Sequence, residues 1–211
     1  MKFSAILSTV TLLALGATAK PTAAPSLPAC DANTPLPCKC PSSADYAESI
    51  TTRILGVNAK DAEKLMNDFF HPEWLGASPW ETRGRDNVVG AIRTSEFQTS
   101  GGLYNVTEKL LEHTVKADGS FKQRFEHHKP TLPLAYHDGS GFFYGYWITI
   151  EARFYSKYET QLTWSAHGCE TGHIQNFSQF HQWALGNALE ILTTNGKVKG
   201  VTSGAVSAQN F

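Results

Sequence analysis

The chain lacks the sequence signatures of several large enzyme classes. It contains no G-x-S-x-G motif, no phosphate-binding glycine loop, no dinucleotide fingerprint and no H-E-x-x-H motif. These absences argue against a serine hydrolase, a nucleotide-dependent enzyme and a zinc protease of the H-E-x-x-H type.

The chain also lacks an excess of charge of either sign. Its 18 Lys and Arg residues nearly balance 19 Asp and Glu residues, and no basic block or stripe occurs. Nucleic acids and anionic membrane surfaces attract clustered cations, so neither is expected as a partner.

Long apolar runs are missing except near the N-terminus. Lys2 precedes an apolar run from Ala5 to Leu15, and Ala17-Thr18-Ala19 forms an A-x-A site, so we predict a secretory signal peptide over residues 1–19. A membrane anchor is disfavoured because a span needs ~20 apolar residues. We therefore expect a protein without a membrane span, secreted or held in the lumen of the secretory pathway.

Only four cysteines occur, and three of them lie in residues 20–41 together with six prolines. This composition predicts an extended arm ahead of the folded domain. In an oxidising compartment we expect Cys169 to pair with Cys30, Cys38 or Cys40, and the other two to pair locally. Zinc binding by these cysteines is the less favoured alternative. Two sequons, at Asn105 and Asn176, predict glycans at surface positions.

Helical patterns dominate the first part of the domain. We predict helix one over residues 44–55, helix two over 59–70 and a third helix from Asp86 to Phe97. Strands follow. The aromatic and β-branched segment Gly141–Phe154 is predicted as the central strand. Hairpin turns are predicted before it at Asp118-Gly119 and after it at Asn195-Gly196. The first turn, if it is a two-residue loop, would set His113 opposite Arg124.

Helices first and antiparallel strands second predict an α+β domain over residues 42–203. The expected architecture is a cone-shaped curved antiparallel sheet packed by two to three N-terminal helices, which would leave a concave pocket. Residues 204–211 are predicted to be a flexible tail.

Four segments of the chain follow the order of a known family. They are the helix pair 44–70, the stretch Phe69-Phe70-His71-Pro72-Glu73-Trp74, the turn Thr82-Arg83-Gly84-Arg85-Asp86-Asn87-Val88 and the closing Asn195-Gly196-Lys197-Val198. In this order the chain resembles the nuclear transport factor 2-like superfamily, in its SnoaL-like and ketosteroid-isomerase-like branch. The resemblance implies an interior cavity, often in a homodimer, and activities that range from isomerisation, dehydration and cyclisation to ligand binding without catalysis.

A cavity of this kind would need a proton acceptor and a hydrogen-bond donor for a developing oxyanion. Asp68 and His71 lie three residues apart at the end of predicted helix two and are candidate catalytic residues. The alternative is a solvated helix end. His167 is a third candidate base, on the strand that carries Trp164.

Aromatic side chains are candidates for binding the substrate. Tyr144 and Tyr146 share a face of a regular strand and could donate hydrogen bonds to a carbonyl, although aromatic residues at this spacing are more often core. Trp80 and Trp164 are expected to line the same pocket. His167, Cys169, His173 and His181 have a spacing at which histidines bind metal, but no acidic pair supports it, so no metal is predicted.

Two functions of different classes remain open. The first is a secreted, cofactor-independent isomerase, dehydratase or cyclase that acts on a small apolar or polyketide-like molecule. The second is a non-catalytic secreted protein that binds such a ligand. Titratable groups buried in the cavity would favour the enzyme, and a wholly apolar or filled cavity would favour binding.

Overall fold

The fold is a single antiparallel sheet with a long helix across its concave face. The structure, a computed structural model, describes residues 40–99, 102–128, 133–136, 139–172 and 176–210. These residues form β1 (Asp45–Leu55), α1 (Ala59–Met66), β2 (Glu81–Arg83), β3 (Ile92–Thr99), β4 (Gly102–Val115), β5 (Phe121–His127), β6 (Leu134–Ala135), β7 (Phe142–Ser156), β8 (Glu159–Glu170), α2 (Phe177–Thr194) and β9 (Val206–Asn210), with a 3-10 turn at Glu73–Leu75.

The order of strands in the sheet is β2-β3-β4-β5-β7-β8-β1-β9, and the short β6 pairs with β7. The expected α+β class and the curved antiparallel sheet are therefore confirmed, and β7 is the central strand that the sequence predicts. In the part of the chain that the structure describes, no helix is long and apolar enough to cross a membrane.

The concave face of the sheet and one side of α2 form the core. Buried residues alternate with less buried ones over residues 159–166 of β8 and 148–152 of β7, as the period of a strand requires. The buried residues of α2 recur every three or four positions, which is the spacing of one helix face: Phe177, His181, Ala184, Leu185, Ala188 and Leu192. Side chains from both layers pack against one another there.

Predicted helix one is wrong, because residues 44–55 contain the strand β1. In β1 the alternating residues Ala47, Ser49 and Thr51 are buried, and the strand pairs along its whole length with β8. The apolar residues of this short segment recur near the helical period of 3.6 residues only by chance, and its β-branched residues suit a strand. The helices therefore do not precede the sheet.

Three further elements differ from expectation, because their local sequence patterns are ambiguous. Predicted helix three is replaced by a turn and strand β3, and predicted helix two ends early, at Met66. The hairpin predicted at Asn195-Gly196 is instead the end of α2, where Asn195 is the C-cap and Gly196 has a φ of 65°. A left-handed glycine suits a helix end as well as a hairpin turn.

The ends of the domain also differ from expectation. The sequence predicts a flexible tail over residues 204–211, whereas in the structure β9 pairs with β1 from Val206 to Asn210 and extends the sheet beyond β1. The turn between β4 and β5 is longer than two residues, since Val115 pairs with Phe121. His113 therefore lies opposite Gln123 and not Arg124.

A disulfide ties the start of the described chain to the sheet. Cys40 is bonded to Cys169 on β8, so Cys40 is the arm residue that pairs with Cys169; Cys30 and Cys38 lie outside the described residues. Around the bond pack Tyr144 and Trp147, on the convex face of the sheet.

Removal of this disulfide by Cys40→Ser with Cys169→Ser should lower the free energy of unfolding by about 2–4 kcal/mol, because the bond closes a loop of 129 residues. Urea unfolding measures the change. The matched control is Cys30→Ser with Cys38→Ser, which should cost less, since we expect these two cysteines to close a short local loop. Equal losses in the two double variants would contradict the prediction.

The contact between α2 and the sheet contains a buried histidine. His181 is fully buried, its ring stacks on Trp164 with centroids 4.3 Å apart, and Nδ1 lies 3.2 Å from Thr51 Oγ1. Burial lowers the pKa of His181 from 6.5 to about 3. The imidazole is therefore neutral in the folded protein at neutral pH.

His181 should make the fold acid-sensitive. Its contribution to stability is complete above pH 6.5 and is lost as the pH falls toward 3, because the unfolded chain takes up a proton that the folded chain does not. At pH 4.5, two units below 6.5, the loss in the free energy of unfolding is about 3 kcal/mol. Comparison of urea unfolding at pH 7 and 4.5 should show a smaller loss in His181→Phe than in the wild type, whereas the exposed-histidine control His71→Ala should behave like the wild type. Identical losses in all three proteins would refute it.

Candidate functional site

A buried ion pair lies inside the concave face of the sheet. Arg93 on β3 and Glu108 on β4 occupy opposite positions, and Arg93 Nε donates to Glu108 Oε2 over 2.6 Å. Both residues are only 2% exposed. Arg93 Nη1 also donates to the backbone oxygen of Phe69, at 2.7 Å. Charges this deep in a protein are stable only when paired and hydrogen-bonded, as this pair is.

Aromatic rings enclose the guanidinium. The Cζ atom of Arg93 lies 4.4 Å from the ring centre of Phe69 and 4.9 Å from that of Phe125, which are distances of cation–π contacts. Phe69 follows α1 in the chain, and its N–H donates to the side chain of Asn87, which fixes its position. The surroundings of the ion pair are therefore apolar except along its own hydrogen bonds.

Two more titratable side chains complete this interior cluster. The hydroxyl of Tyr146 on β7 donates a short hydrogen bond to Glu108 Oε1, and burial together with the negative Glu108 raises the pKa of Tyr146 well above its usual value. The ring of His127 on β5 lies 5.3 Å from that of Tyr146, and burial lowers the pKa of His127 to about 3. Tyr146 and His127 are thus both neutral. We call Arg93, Glu108, His127 and Tyr146 the interior cluster.

Strand register explains why these four residues meet. Arg93 pairs with Glu108, and Glu108 pairs with His127. On the next pair of strands Glu126 is opposite Trp147, which brings the adjacent residues His127 and Tyr146 next to each other. Residues opposite one another in neighbouring strands share a face. The sequence carries no signal for this row, since Arg93 falls in the segment that was predicted to be a helix.

Some polar atoms inside the fold have no partner among the described residues. Arg93 Nη2 and Ser95 Oγ lie on β3, and Trp164 Nε1 and His181 Nε2 lie at the contact of β8 with α2. Such atoms are rare in folded proteins, and a bound water or ligand is a common reason for them. They mark where an interior ligand could be held.

Tyr144 and Tyr146 do not share a face, contrary to expectation. The pairing of β7 with β8 shifts between Phe143 and Gly145, and Gly145 has a φ of 111°, which favours glycine. This bulge directs Tyr146 to the interior and Tyr144 to the convex face beside Trp147. Only Tyr146 belongs to the interior cluster.

His167 also lies on the convex face and not in the interior. Its Nδ1 is 2.7 Å from the hydroxyl of Tyr46 and 3.7 Å from Glu48 Oε2. Burial lowers the pKa of His167, although Glu48 opposes this. The sheet therefore separates His167 from the interior cluster.

Asp68 and His71 meet at the surface, together with Asp86. Each offers one ligand atom, and these atoms lie within 4.8 Å of one another. Burial, and then the neighbouring Asp86, raise the pKa of Asp68 to about 6. His71 is exposed and pairs with Glu73 at 3.5 Å. This set could hold a metal ion, and Asp68 Oδ1 has no partner among the described residues, but acidic groups of this kind are common without an ion. It does not touch the interior cluster.

The other predicted positions separate clearly. Trp164 is fully buried in the core, whereas Trp80 is 63% exposed and lies outside it. Asn105 and Asn176 are both exposed, and Asn176 also caps α2 by accepting from the N–H of Gln179. His173 lies outside the described residues.

The surface of α2 carries two open grooves. The larger, of about 550 Å³, lies between the start of α2 and β9 and is lined by Asn176, Ser178, Gln179, Gln182, Ser207 and Gln209. The smaller lies near Asn195. Neither of these two grooves is lined by a residue of the interior cluster.

The START domain family matches residues 47–210. A solved structure from Nitrosospira multiformis superposes with a TM-score of 0.51 at 12% identity over 71% of this chain and 98% of that one. Ginseng major latex-like protein 151 from Panax ginseng has a TM-score of 0.49 and 12% identity, over 69% of this chain and 97% of that one. Norcoclaurine synthase from Thalictrum flavum has a TM-score of 0.46 and 15% identity, over 74% of this chain and 91% of that one.

At 12% identity the likeness to the Nitrosospira multiformis structure concerns the fold alone. Among curated proteins no match is found. The expected resemblance to the nuclear transport factor 2-like superfamily is not supported. The START domain family, a different family, matches most of the sheet and both helices. The chain belongs to the START domain family.

Proposed function

We propose that this protein binds a small, neutral, mostly apolar molecule between the sheet and α2, with one oxygen of the ligand at Arg93. The observation that carries the proposal is Arg93 Nη2, a donor on a guanidinium that is 2% exposed and that has no partner among the described residues. An unmade hydrogen bond of a buried charged group is costly, and a ligand oxygen would complete it.

The ion pair favours a neutral ligand. Glu108 already neutralises Arg93 at 2.6 Å, so a ligand carboxylate at Nη2 would add a second buried negative charge close to Glu108. A carbonyl or hydroxyl oxygen accepts the hydrogen bond without that cost. The aromatic surroundings of Arg93 favour an apolar ligand body, and polyketide-like molecules are one class of this kind.

The compartment is a further part of the proposal. The bond between Cys40 and Cys169 is typical of oxidising compartments. Together with the predicted signal peptide over residues 1–19, it supports a role outside the cell or in the secretory lumen. Glycans at Asn105 and Asn176, a local pair of Cys30 with Cys38, and a homodimer remain predictions.

An enzyme is the second candidate, and one observation favours it. Tyr146, Glu108 and His127 bring a phenol, a carboxylate and a neutral imidazole together at the place proposed for a ligand oxygen. Glu108 could accept a proton while Tyr146 or Arg93 stabilises an oxyanion, as cofactor-independent isomerisation, dehydration or cyclisation requires. Asp68, His71 and His167 lie elsewhere and are not proposed for this role.

Binding is tested with Nile red, a neutral dye with a carbonyl oxygen. Arg93→Met alone would leave Glu108 buried and unpaired at a cost of about 3–5 kcal/mol, so the informative variant is Arg93→Met with Glu108→Leu. This double variant should fold but bind Nile red about tenfold more weakly, since a hydrogen bond from a charged donor is lost. Fluorescence titration measures the dissociation constant.

The matched control removes an ion pair at the surface. Arg83 and Glu81 are paired at 2.9 Å and largely exposed, so Arg83→Met with Glu81→Leu should bind Nile red like the wild type. Equal affinities in all three proteins, or no binding by the folded wild type, would overturn the proposed site.

Catalysis is tested with β-tetralone, a neutral enolisable ketone, dissolved in D₂O. The wild type should speed incorporation of deuterium beside the carbonyl, and Tyr146→Phe should lower that rate at least tenfold while Nile red still binds. NMR follows the exchange. A wild-type rate equal to that of buffer would leave ligand binding as the function and remove the enzyme for this class of ketone.

A further inference from the structure

A second polar position lies in the interior, away from Arg93. Trp164 on β8 and His181 on α2 are both fully buried and stack with 20° between their rings. Trp164 Nε1 and His181 Nε2 have no partner among the described residues. The strand order places β3 and β8 four steps apart, which is about 19 Å along the curved sheet at a spacing of ~4.8 Å.

The chemistry of these two nitrogens is specific. Trp164 Nε1 can only donate a hydrogen bond. His181 is neutral, and its Nδ1 is taken by Thr51 Oγ1, which itself lies 2.9 Å from Ser207 Oγ. Nε2 is therefore a donor or an acceptor, depending on the tautomer. A hydroxyl within reach of both nitrogens satisfies them in either case, because its oxygen accepts from Trp164 and the group can either donate to or accept from His181.

We propose that Trp164 Nε1 and His181 Nε2 bind a hydroxyl group of the ligand, so that the ligand carries two oxygen functions at the two ends of an apolar body. This inference rests on the proposed function, since the first oxygen is the one held by Arg93. A carboxylate or an ammonium is a poor fit, because the rings around the pair, Trp74, Phe177 and Phe180, carry no charge.

Aromatic contacts connect the two positions. Phe180 on α2 lies 5.7 Å from Trp164 and 6.3 Å from Phe97, which is on β3 two residues beyond Ser95. Phe180 is half-buried, unlike Trp164 and His181. An apolar ligand body that spans the two positions would therefore lie along Phe180.

The test compares dodecanol with the α,ω-diol of the same chain length as displacers of Nile red. Dodecanol can satisfy only one of the two positions with its single hydroxyl, whereas the diol can satisfy both. In the wild type the diol should displace Nile red at about tenfold lower concentration than dodecanol, because it makes the additional hydrogen bonds. In His181→Phe this ratio should fall to near one, because the second hydroxyl of the diol loses a partner.

A second variant guards against misfolding of the first. Trp164→Phe should also reduce the ratio, and its matched control is Trp183→Phe, a change of an exposed tryptophan on α2 that should leave the ratio unchanged. If dodecanol binds and depends on Arg93 but the diol is no better, the second position holds only water and this inference fails while the proposed function stands. If neither alcohol displaces Nile red, the proposed function fails, and the inference that rests on it fails with it.

Discussion

The pair formed by Arg93 and Glu108 determines the arrangement of this interior. It joins β3 to β4, reaches the backbone of Phe69 after α1, and through Glu108 also holds Tyr146 on β7. A buried charge pair contributes little net stability compared with apolar residues of the same volume, but loss of one partner is severe. The pair is thus better explained by a requirement for specific positions, including a free donor, than by stability.

The bulge at Gly145 decides which polar residues belong to that interior. Without it, Tyr144 and Tyr146 would both point to the same side of β7. With it, Tyr146 reaches Glu108, while Tyr144 joins the convex cluster beside the disulfide. The sheet therefore carries two sets of polar residues, and only the concave set can meet a ligand under α2.

The sequence predicts the fold class better than its elements. The alternation and aromatic content of β7 identify a central strand, and the single cysteine outside the arm correctly suggests an anchor for it. The patterns in residues 44–55 and 86–97 fit a helix as well as a strand, and only pairing with β8 and β4 decides between them. The interior cluster is unpredictable for a stronger reason, because Arg93, Glu108 and His127 meet through register across three strands, which no local pattern encodes.

The distribution of unpartnered polar atoms restricts the class of ligand further than the fold does. A START domain fold alone is compatible with many apolar molecules. Here the concave face offers Arg93 Nη2 beside an already neutral ion pair and, across several aromatic rings, a pair of nitrogens that suits a hydroxyl. An uncharged ligand with oxygen at both ends satisfies each of these atoms, whereas a fatty acid or an amine would leave a buried charge uncompensated at one end.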